Sequence, residues 1–209
     1  YTGTITQSSD MYIAEYSQAG GTFTGPGGNT YYLYCSGNMI KTGGTFTTSV
    51  SNINFTGTGE MTGFTGAIRH LIISNNRTLK SSISMVGEAT CGFIINADAI
   101  LTINSGYTLT SVYYFGGTYT NNGLIDGLGT LQINLYDNSA IISSLSNINC
   151  NLILTTFAGG PTKNLSWTIT DNITPLSITI RVLGTNAYTC TLDLNGYDLE
   201  CDSLTIGNR

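Results

Sequence analysis

Charged side chains are scarce in this chain: only 9% of its 209 residues are Asp, Glu, Lys or Arg. Lys and Arg together number 7, and the formal net charge is -5. Nucleic acids and anionic membrane surfaces attract proteins through clustered basic groups. No stretch approaches the roughly 20 consecutive apolar residues of a membrane span. The sequence therefore predicts neither a nucleic-acid partner nor a membrane span.

Histidine and cysteine, which often act as catalytic groups or metal ligands, are also few. His70 is the single histidine, and no Gly-x-Ser-x-Gly elbow accompanies it, so a hydrolase triad is not supported and we interpret it as a corner or core histidine. None of the five cysteines forms a Cys-x-x-Cys pair, which argues against zinc and thioredoxin-type chemistry. We expect a protein that is not an enzyme and has no cofactor, with Ca²⁺ as the alternative discussed below.

The residues that are abundant favour strands and tight corners. Hydrophobic residues make up 41% of the chain, and most of the polar remainder is Thr, Ser, Asn and Gly. Thr, Tyr, Ile and Val suit pleated surfaces, whereas Gly and Asn suit sharp bends. No shift in composition marks a second domain. The sequence predicts a single all-β domain.

Low charge together with many Thr, Ser, Asn and Tyr residues is typical of secreted and surface proteins. We therefore expect an extracellular or cell-surface location, with a virion as the alternative. Residue 1 is Tyr and no signal-peptide pattern follows it, so we expect a processed mature chain or an excised piece. The odd number of cysteines leaves at least one thiol free or bonded to another chain.

Short strand-like segments return along the chain. Leu71–Ser74, Leu101–Asn104 and Leu131–Asn134 begin 30 residues apart and alternate aliphatic with polar side chains. The segment Gly20–Thr24 recurs at 43–47 and, with Tyr for Phe, at 116–120. A glycine pair suits a corner, and Thr-aromatic-Thr then alternates as a strand does. Strands that return at such intervals, without room for a helix between them, predict a coiled chain with stacked strands.

One marker per coil gives the predicted register: Phe23, Phe46, Leu71, Leu101, Leu131, Leu152, Ile178 and Leu204, at intervals of 23, 25, 30, 30, 21, 26 and 26 residues. These intervals predict a single-stranded parallel β-helix, or β-solenoid, of about eight coils. We assign the body to residues 20–209 and an N-terminal strand or arm, which could contact a neighbour, to residues 1–19. The alternative fold is a β-sandwich or jelly roll.

Both ends of the predicted coil expose strand edges. The last strand, Leu204–Ile206, is followed by three residues without a helix or Pro-rich cover, and residues 1–6 form a plausible free strand. Unpaired edges can add strands from another molecule. Head-to-tail pairing of this kind does not close on itself and makes fibres. Copies of the same chain are therefore the expected partner.

An acidic strip precedes the last strand. Asp198, Glu200 and Asp202 alternate with other residues, which places three carboxylates on one face about 6.5 to 7 Å apart. With Asp193 and backbone carbonyls they are the candidate ligands of a Ca²⁺ ion. The competing interpretation is a solvated or interface-facing strip. Carboxylate pairs also serve polysaccharide lyases and hydrolases, but no aromatic-rich groove accompanies these.

Tyrosine clusters are candidate sugar-binding surfaces. Tyr32 and Tyr34 lie in one cluster, and Tyr113 and Tyr114 in another. Their rings could bind glycans, or they could stack from coil to coil inside a solenoid.

Two kinds of covalent modification are also predicted. N-glycosylation sequons occur at four positions: Asn54, Asn76, Asn164 and Asn172. Cys190 and Cys201 lie 11 residues apart, so a disulfide could join them across the last turn, and stacked free thiols in the core are the alternative.

The Gly-Gly-Thr-Phe-Thr segments, Leu101–Leu109 and Asn121–Gly127 resemble coils of right-handed parallel β-helix surface proteins of the pectin-lyase-like and adhesin type. The resemblance implies a β-helical fold. Some members of that group cut polysaccharides, and others are adhesins, phage tail spikes or filament subunits. The catalytic patterns of the cutting members are absent from this chain, so no active residue is transferred.

Three functions follow as expectations. The leading one is a non-enzymatic extracellular structural protein, a subunit or segment of a surface layer, filament or adhesin that assembles through exposed β-edges. The alternatives are a virion tail-spike or attachment protein that binds glycans, and a polysaccharide lyase or hydrolase.

Overall fold

The computed structural model describes residues 3–25, 31–47, 52–65, 67–85, 92–113, 118–136, 145–157, 165–169, 173–183 and 190–208. Within these ranges all regular elements are strands and every strand pairing is parallel. The strands are β1 (Thr4–Thr6), β2 (Met11–Ile13), β3 (Tyr16–Gln18), β4 (Thr22–Thr24), β5 (Tyr32–Cys35), β6 (Met39–Lys41), β7 (Thr45–Thr47), β8 (Asn52–Phe55), β9 (Gly59–Thr62), β10 (Ala67–Ile68), β11 (His70–Ile73), β12 (Arg77–Lys80), β13 (Ile83–Met85), β14 (Gly92–Ile95), β15 (Ile100–Ile103), β16 (Thr108–Tyr113), β17 (Thr118–Asn121), β18 (Leu124–Asp126), β19 (Thr130–Tyr136), β20 (Asn151–Phe157), β21 (Leu165–Thr168), β22 (Ser177–Leu183), β23 (Cys190–Asp193) and β24 (Ser203–Asn208).

The strands stack into a β-solenoid of about seven turns, close to the predicted eight, which confirms the predicted fold. Sheet I has the order β2-β5-β8-β11-β14-β17, and sheet II the order β3-β6-β9-β12-β15-β18. The strands on the remaining face of the coils belong to sheet IIIa (β1-β4-β7) or, further along, to sheet IIIb (β10-β13-β16-β19-β20-β22-β24). β21 pairs with β23 near the C-terminus.

The length of a coil varies. Ala67 pairs with Ser84 and Ser177 with Ser203, so successive coils take 17 to 26 residues. The predicted register is right at both ends, where Phe23 pairs with Phe46 and Leu152 with Ile178. Each strand sends alternate side chains into the solenoid, where they form apolar columns from coil to coil.

The 30-residue return is not the coil period, and this part of the predicted register is wrong. Leu71 lies in β11 of sheet I, Leu101 in β15 of sheet II and Leu131 in β19 of sheet IIIb. All three are buried. Their alternating pattern shows that one side of each strand faces the core, but it does not show to which sheet the strand belongs. The 30-residue interval is the length of one full coil plus the step to the next strand.

Glycine corners are placed as predicted at the two described sites. Gly21 precedes β4 with φ 67° and Gly44 precedes β7 with φ 70°, a conformation that glycine adopts without strain. A Cβ at Gly44 would also clash with the backbone of Gly20. The third glycine pair, at 116–117, lies outside the described residues.

The third face is interrupted between β7 and β10, which are not paired with each other. The Phe64 ring is buried there and packs edge-on against Phe46, with 5.1 Å between centroids. The backbone N–H of Phe64 donates to the Ser81 hydroxyl instead of to a strand. Sheet IIIa and sheet IIIb are therefore separate ladders, although their strands occupy the same place in the order of strands within a coil.

The first coil consists of β1, β2 and β3, which pair with β4, β5 and β6. Contact of residues 1–19 with a neighbouring molecule stays a prediction.

Candidate functional site

The acidic strip lies on the last coil, and Ca²⁺ binding by it stays a prediction. Asp193, Asp198, Glu200 and Asp202 are all exposed. The Asp193 carboxylate accepts a hydrogen bond from the backbone N–H of Asn195 at 2.9 Å, so it caps the turn that follows β23. Among the described residues, no three His, Cys, Asp or Glu side chains lie close enough together to hold a metal ion. The four carboxylates are thus a solvent-facing surface in this structure.

The tyrosines of the first cluster lie on the outer face of sheet I. Tyr12 and Tyr34 occupy paired positions, and their rings stack with 4.5 Å between centroids and 3° between planes. Tyr32 lies 5.8 Å from Tyr34 and 6.1 Å from His70. Tyr12 is 73% exposed. Tyr32 and Tyr34 are brought together as a surface cluster, and Tyr12 is a member that the sequence analysis missed.

The second tyrosine cluster is not described at the level of side chains. Tyr113 is the last residue of β16, and its side chain lies outside the described part, as does all of Tyr114.

The side-chain oxygens of the described sequon asparagines accept hydrogen bonds from the next coil. Asn54 Oδ1 accepts a hydrogen bond from the Ser74 hydroxyl at 3.0 Å. Asn76 Oδ1 accepts one from the backbone N–H of Ile100 at 3.1 Å. Asn164 and Asn172 lie outside the described residues. Glycosylation at the four positions stays a prediction.

The predicted disulfide is not formed in this structure, because Cys201 is a free thiol, as are Cys35 and Cys150. Cys190 opens β23, which pairs with β21, whereas Cys201 lies just before β24 of sheet IIIb. The two cysteines therefore belong to different sides of one coil. Burial raises the pKa of the Cys35 thiol and raises that of Cys150 to about 12, so both are poor nucleophiles.

Arg77 is an internal feature that the sequence analysis missed. Its side chain points inward from β12 and is only 2% exposed. Nη1 donates a hydrogen bond to the carbonyl of Gly37 at 2.6 Å, and Nη2 donates to that of Gly57 at 2.7 Å. The guanidinium carbon lies 4.1 Å from the centre of the Phe55 ring. Arg77 therefore connects corners of two preceding coils to its own.

The surroundings of Arg77 explain why an arginine fits there. A Cβ at Gly59, its strand partner, would fall 2.7 Å from Nη1, so glycine leaves room for the guanidinium. Desolvation lowers the pKa of Arg77 to about 10, and nearby Cys35 acts in the opposite direction. The side chain nevertheless stays charged at neutral pH, because pH 7 lies far below that value.

A shallow groove of about 280 Å³ lies outside this corner, lined by Thr58, Glu60, Asn76, Thr78, Ile100 and Thr102. The Glu60 carboxylate is paired with Lys80 at 2.6 Å. Both side chains are partly exposed, so this is a surface ion pair.

The last described coil leaves its interior open. Leu204 and Ile206 of β24 stand in the same columns as the buried Ile178 and Ile180. They are nevertheless 52% and 73% exposed. At the other end Ile5, in line with the buried Phe23, is 39% exposed.

These features define the class of the chain by its architecture, a β-solenoid with parallel in-register coils. No protein-family model, no curated protein and no solved structure matches it. Within the described residues, no helix has the length and apolar character that crossing a membrane requires. Inferences about function therefore depend on the geometry of the surfaces.

Proposed function

We propose that this chain is a non-enzymatic extracellular structural protein, a subunit or segment of a surface layer, filament or adhesin, that assembles head to tail. The observation that carries the proposal is the exposure of Leu204 and Ile206 at the end of the core columns. Covering these side chains with a second molecule would remove their apolar surface from water, which stabilises the complex by about 25 cal/mol per Å².

A second copy of the chain is the occupant that fits this surface. Within the described residues β24 pairs with β22 alone, so its other edge carries free backbone donors and acceptors. β1 is likewise the outer strand of sheet IIIa, and Ile5 offers an apolar side chain from it. A strand placed on the β24 edge continues both the ladder and the apolar columns. Sparse charge weakens repulsion between such surfaces.

Changing Ile206 to Asp is expected to abolish the assembly. The carboxylate would have to be buried without a partner, which costs several kcal/mol. We expect wild-type chain to show a molar mass that rises with concentration in light scattering, and Ile206→Asp to remain monomeric throughout. Negative-stain images should show filaments only for the wild type.

Thr205→Asp is the matched control, since Thr205 is the outward-facing neighbour in the same strand. It adds the same charge to the solvent face, and we expect it to assemble as the wild type does. A wild-type chain that stays monomeric at all concentrations, or an Ile206→Asp chain that assembles normally, would contradict the proposal.

A second candidate function is glycan binding at the tyrosines of sheet I, favoured by the exposed Tyr12 ring. Because Tyr12 stacks on Tyr34 along the solenoid axis, one face of its ring is covered and the other is open. An open aromatic face is a surface on which the apolar side of a sugar ring stacks.

Tyr12→Ala is expected to remove any signal that the wild-type chain gives on a glycan array. Tyr197→Ala, a change of an exposed tyrosine in the last coil, should leave that signal unchanged. Equal binding by the Tyr12→Ala and wild-type chains would exclude the tyrosine surface as the glycan site.

A further inference from the structure

The outer face of sheet IIIa consists of threonines alone. Its three strands read Thr-Ile-Thr, Thr-Phe-Thr and Thr-Phe-Thr. The central residues face the core, so the flanking threonines face outward. The register aligns them in two columns, which we call the threonine grid: Thr4, Thr22 and Thr45 in one, and Thr6, Thr24 and Thr47 in the other.

The grid has a regular spacing in two directions. Along the solenoid axis, the rings of Phe23 and Phe46 directly beneath it stack with 4.7 Å between centroids and 6° between planes. This stacking holds β4 and β7 at the normal separation of sheet strands, about 4.8 Å. Within a strand, threonines two residues apart are separated by about 6.6 Å. The grid is therefore a two-dimensional lattice and not a single line of side chains.

The corner beside the grid is held in place from inside. Gln18 is buried, and its Nε2 donates to the carbonyls of Gly20, Gly21 and Thr45, at 3.2, 3.2 and 3.0 Å. These bonds tie the corner before β4 to the first residue of β7. Because these hydrogen bonds fix the positions of the strands, they also fix the backbone positions from which the threonine side chains project.

The corner on the other side is held in the same way. Gln7 is buried, and its Nε2 donates to the carbonyl of Tyr32 at 2.9 Å. The backbone N–H of Gln7 donates to the carbonyl of Thr24, also at 2.9 Å. Buried glutamines therefore hold sheet IIIa at both ends of its strands.

Threonine itself adds to this order. Its branched Cβ restricts χ1, so that hydroxyl and methyl groups sit at few positions. The three strands of sheet IIIa carry no charged residue. A charged group would organise water around itself, whereas hydroxyls and methyls together leave water free to follow the spacing of the lattice.

We propose that the threonine grid binds the surface of ice. Water oxygens on the prism face of hexagonal ice repeat in two perpendicular directions, with a shorter and a longer spacing of nearly the lengths found in the grid. The hydroxyls can replace water in that lattice as donors and acceptors, and the methyls fit between the oxygens. Ice is thus a ligand whose periodicity is recognised by periodic side chains. The proposal is independent of head-to-tail assembly, which uses the ends of the solenoid.

The test uses the fluorescently labelled chain and a slowly growing ice hemisphere in dilute solution. We expect the wild-type chain to be taken up into the ice and to stop recrystallisation of small crystals. Thr22→Tyr places a large ring at the middle strand of the grid and is expected to be excluded from the ice. Thr24→Val keeps the shape and removes one hydroxyl, so its uptake is expected to fall without any change in fold.

Thr102→Tyr is the control, since it adds the same ring to the outer face of sheet II. It should be taken up as the wild type is, and circular dichroism melts should show that each variant folds. Ile206→Asp should also enter ice, which separates this proposal from assembly. Exclusion of the folded wild-type chain from ice, or equal uptake of Thr22→Tyr and wild type, would overturn the proposal.

Discussion

Replacing Arg77 with Ala is expected to lower the free energy of unfolding by about 4 kcal/mol. Two hydrogen bonds from a charged donor are lost, to the carbonyls of Gly37 and Gly57. Each such bond contributes about 1.5 to 3 kcal/mol, and a buried acceptor left without a partner costs about 1 to 3 kcal/mol. The contact with the Phe55 ring is lost as well, and a cavity remains.

Urea denaturation followed by circular dichroism measures this loss, and Lys80→Ala is the control. Lys80 is in the same strand but faces outward, and its ion pair with Glu60 has side chains 36% and 41% exposed. Exposed pairs of this kind contribute about 0 to 1 kcal/mol. The two variants should therefore differ by several kcal/mol although each removes one positive charge.

Arg77→Lys tests the geometry in case Arg77→Ala does not fold. A lysine retains the charge but lacks the planar fork that reaches two carbonyls at once. We expect this variant to fold with a reduced free energy of unfolding. If Arg77→Lys and Arg77→Ala were both within about 1 kcal/mol of the wild type, the connecting role of Arg77 would be wrong.

Raising the pH above 9 is expected to destabilise the fold strongly. The pKa of the Cys150 thiol is raised from its ordinary 9.0 to about 12, chiefly by burial. Burial likewise raises the pKa of Tyr16 to about 12 and that of Tyr119 well above its usual range. At a pH between the ordinary and the raised pKa of such a group, the folded chain keeps a proton that the unfolded chain has lost. The free energy of unfolding therefore decreases as the pH rises through this range.

The size of this effect follows from Cys150. Its contribution is fully present below pH 9 and is lost between pH 9 and about 12. At pH 10.5 the loss from this thiol alone is about 2 kcal/mol. Arg77 acts in the opposite direction, because its lowered pKa of about 10 makes the unfolded chain the better proton acceptor above that pH.

Free energies of unfolding at pH 7 and 10.5 measure this loss, with Cys150→Ala as the matched variant. The variant lacks the thiol, so its decrease over the same pH range should be smaller by about 2 kcal/mol. A wild-type chain whose stability is equal at both pH values, or a variant with an undiminished decrease, would contradict the assignment.

The sequence allowed the solenoid to be predicted but not the face on which each strand lies. Alternation in Leu71–Ser74 and Leu101–Asn104 shows that one side of each strand is buried. Every face of the coil imposes the same alternation, so these two segments look equivalent although they lie in sheet I and sheet II. The glycine corner before Phe23 and Phe46 is a feature of one face only, and there the predicted register is correct.

The parts of the sites that were missed depend on contacts between coils. Arg77 alternates with the buried Leu79, and this was a usable signal that it points inward. Its acceptors, Gly37 and Gly57, lie 40 and 20 residues away and carry no recognisable pattern. Tyr12 was missed for the same reason, since its stacking on Tyr34 requires the register of β2 and β5.

The break on the third face has a consequence for how the molecule opens. Sheets I and II hold the coils from β2 to β18, while sheet IIIb begins only at β10 and continues to β24. Because β7 and β10 do not pair, the two coils that meet there are joined by sheets I and II alone, whereas the coils on either side are joined by three ladders. In a repeat architecture each coil is stabilised by its neighbours, so among the described coils this junction should open first. The solenoid would then part at an internal joint into two stacks that each stay folded.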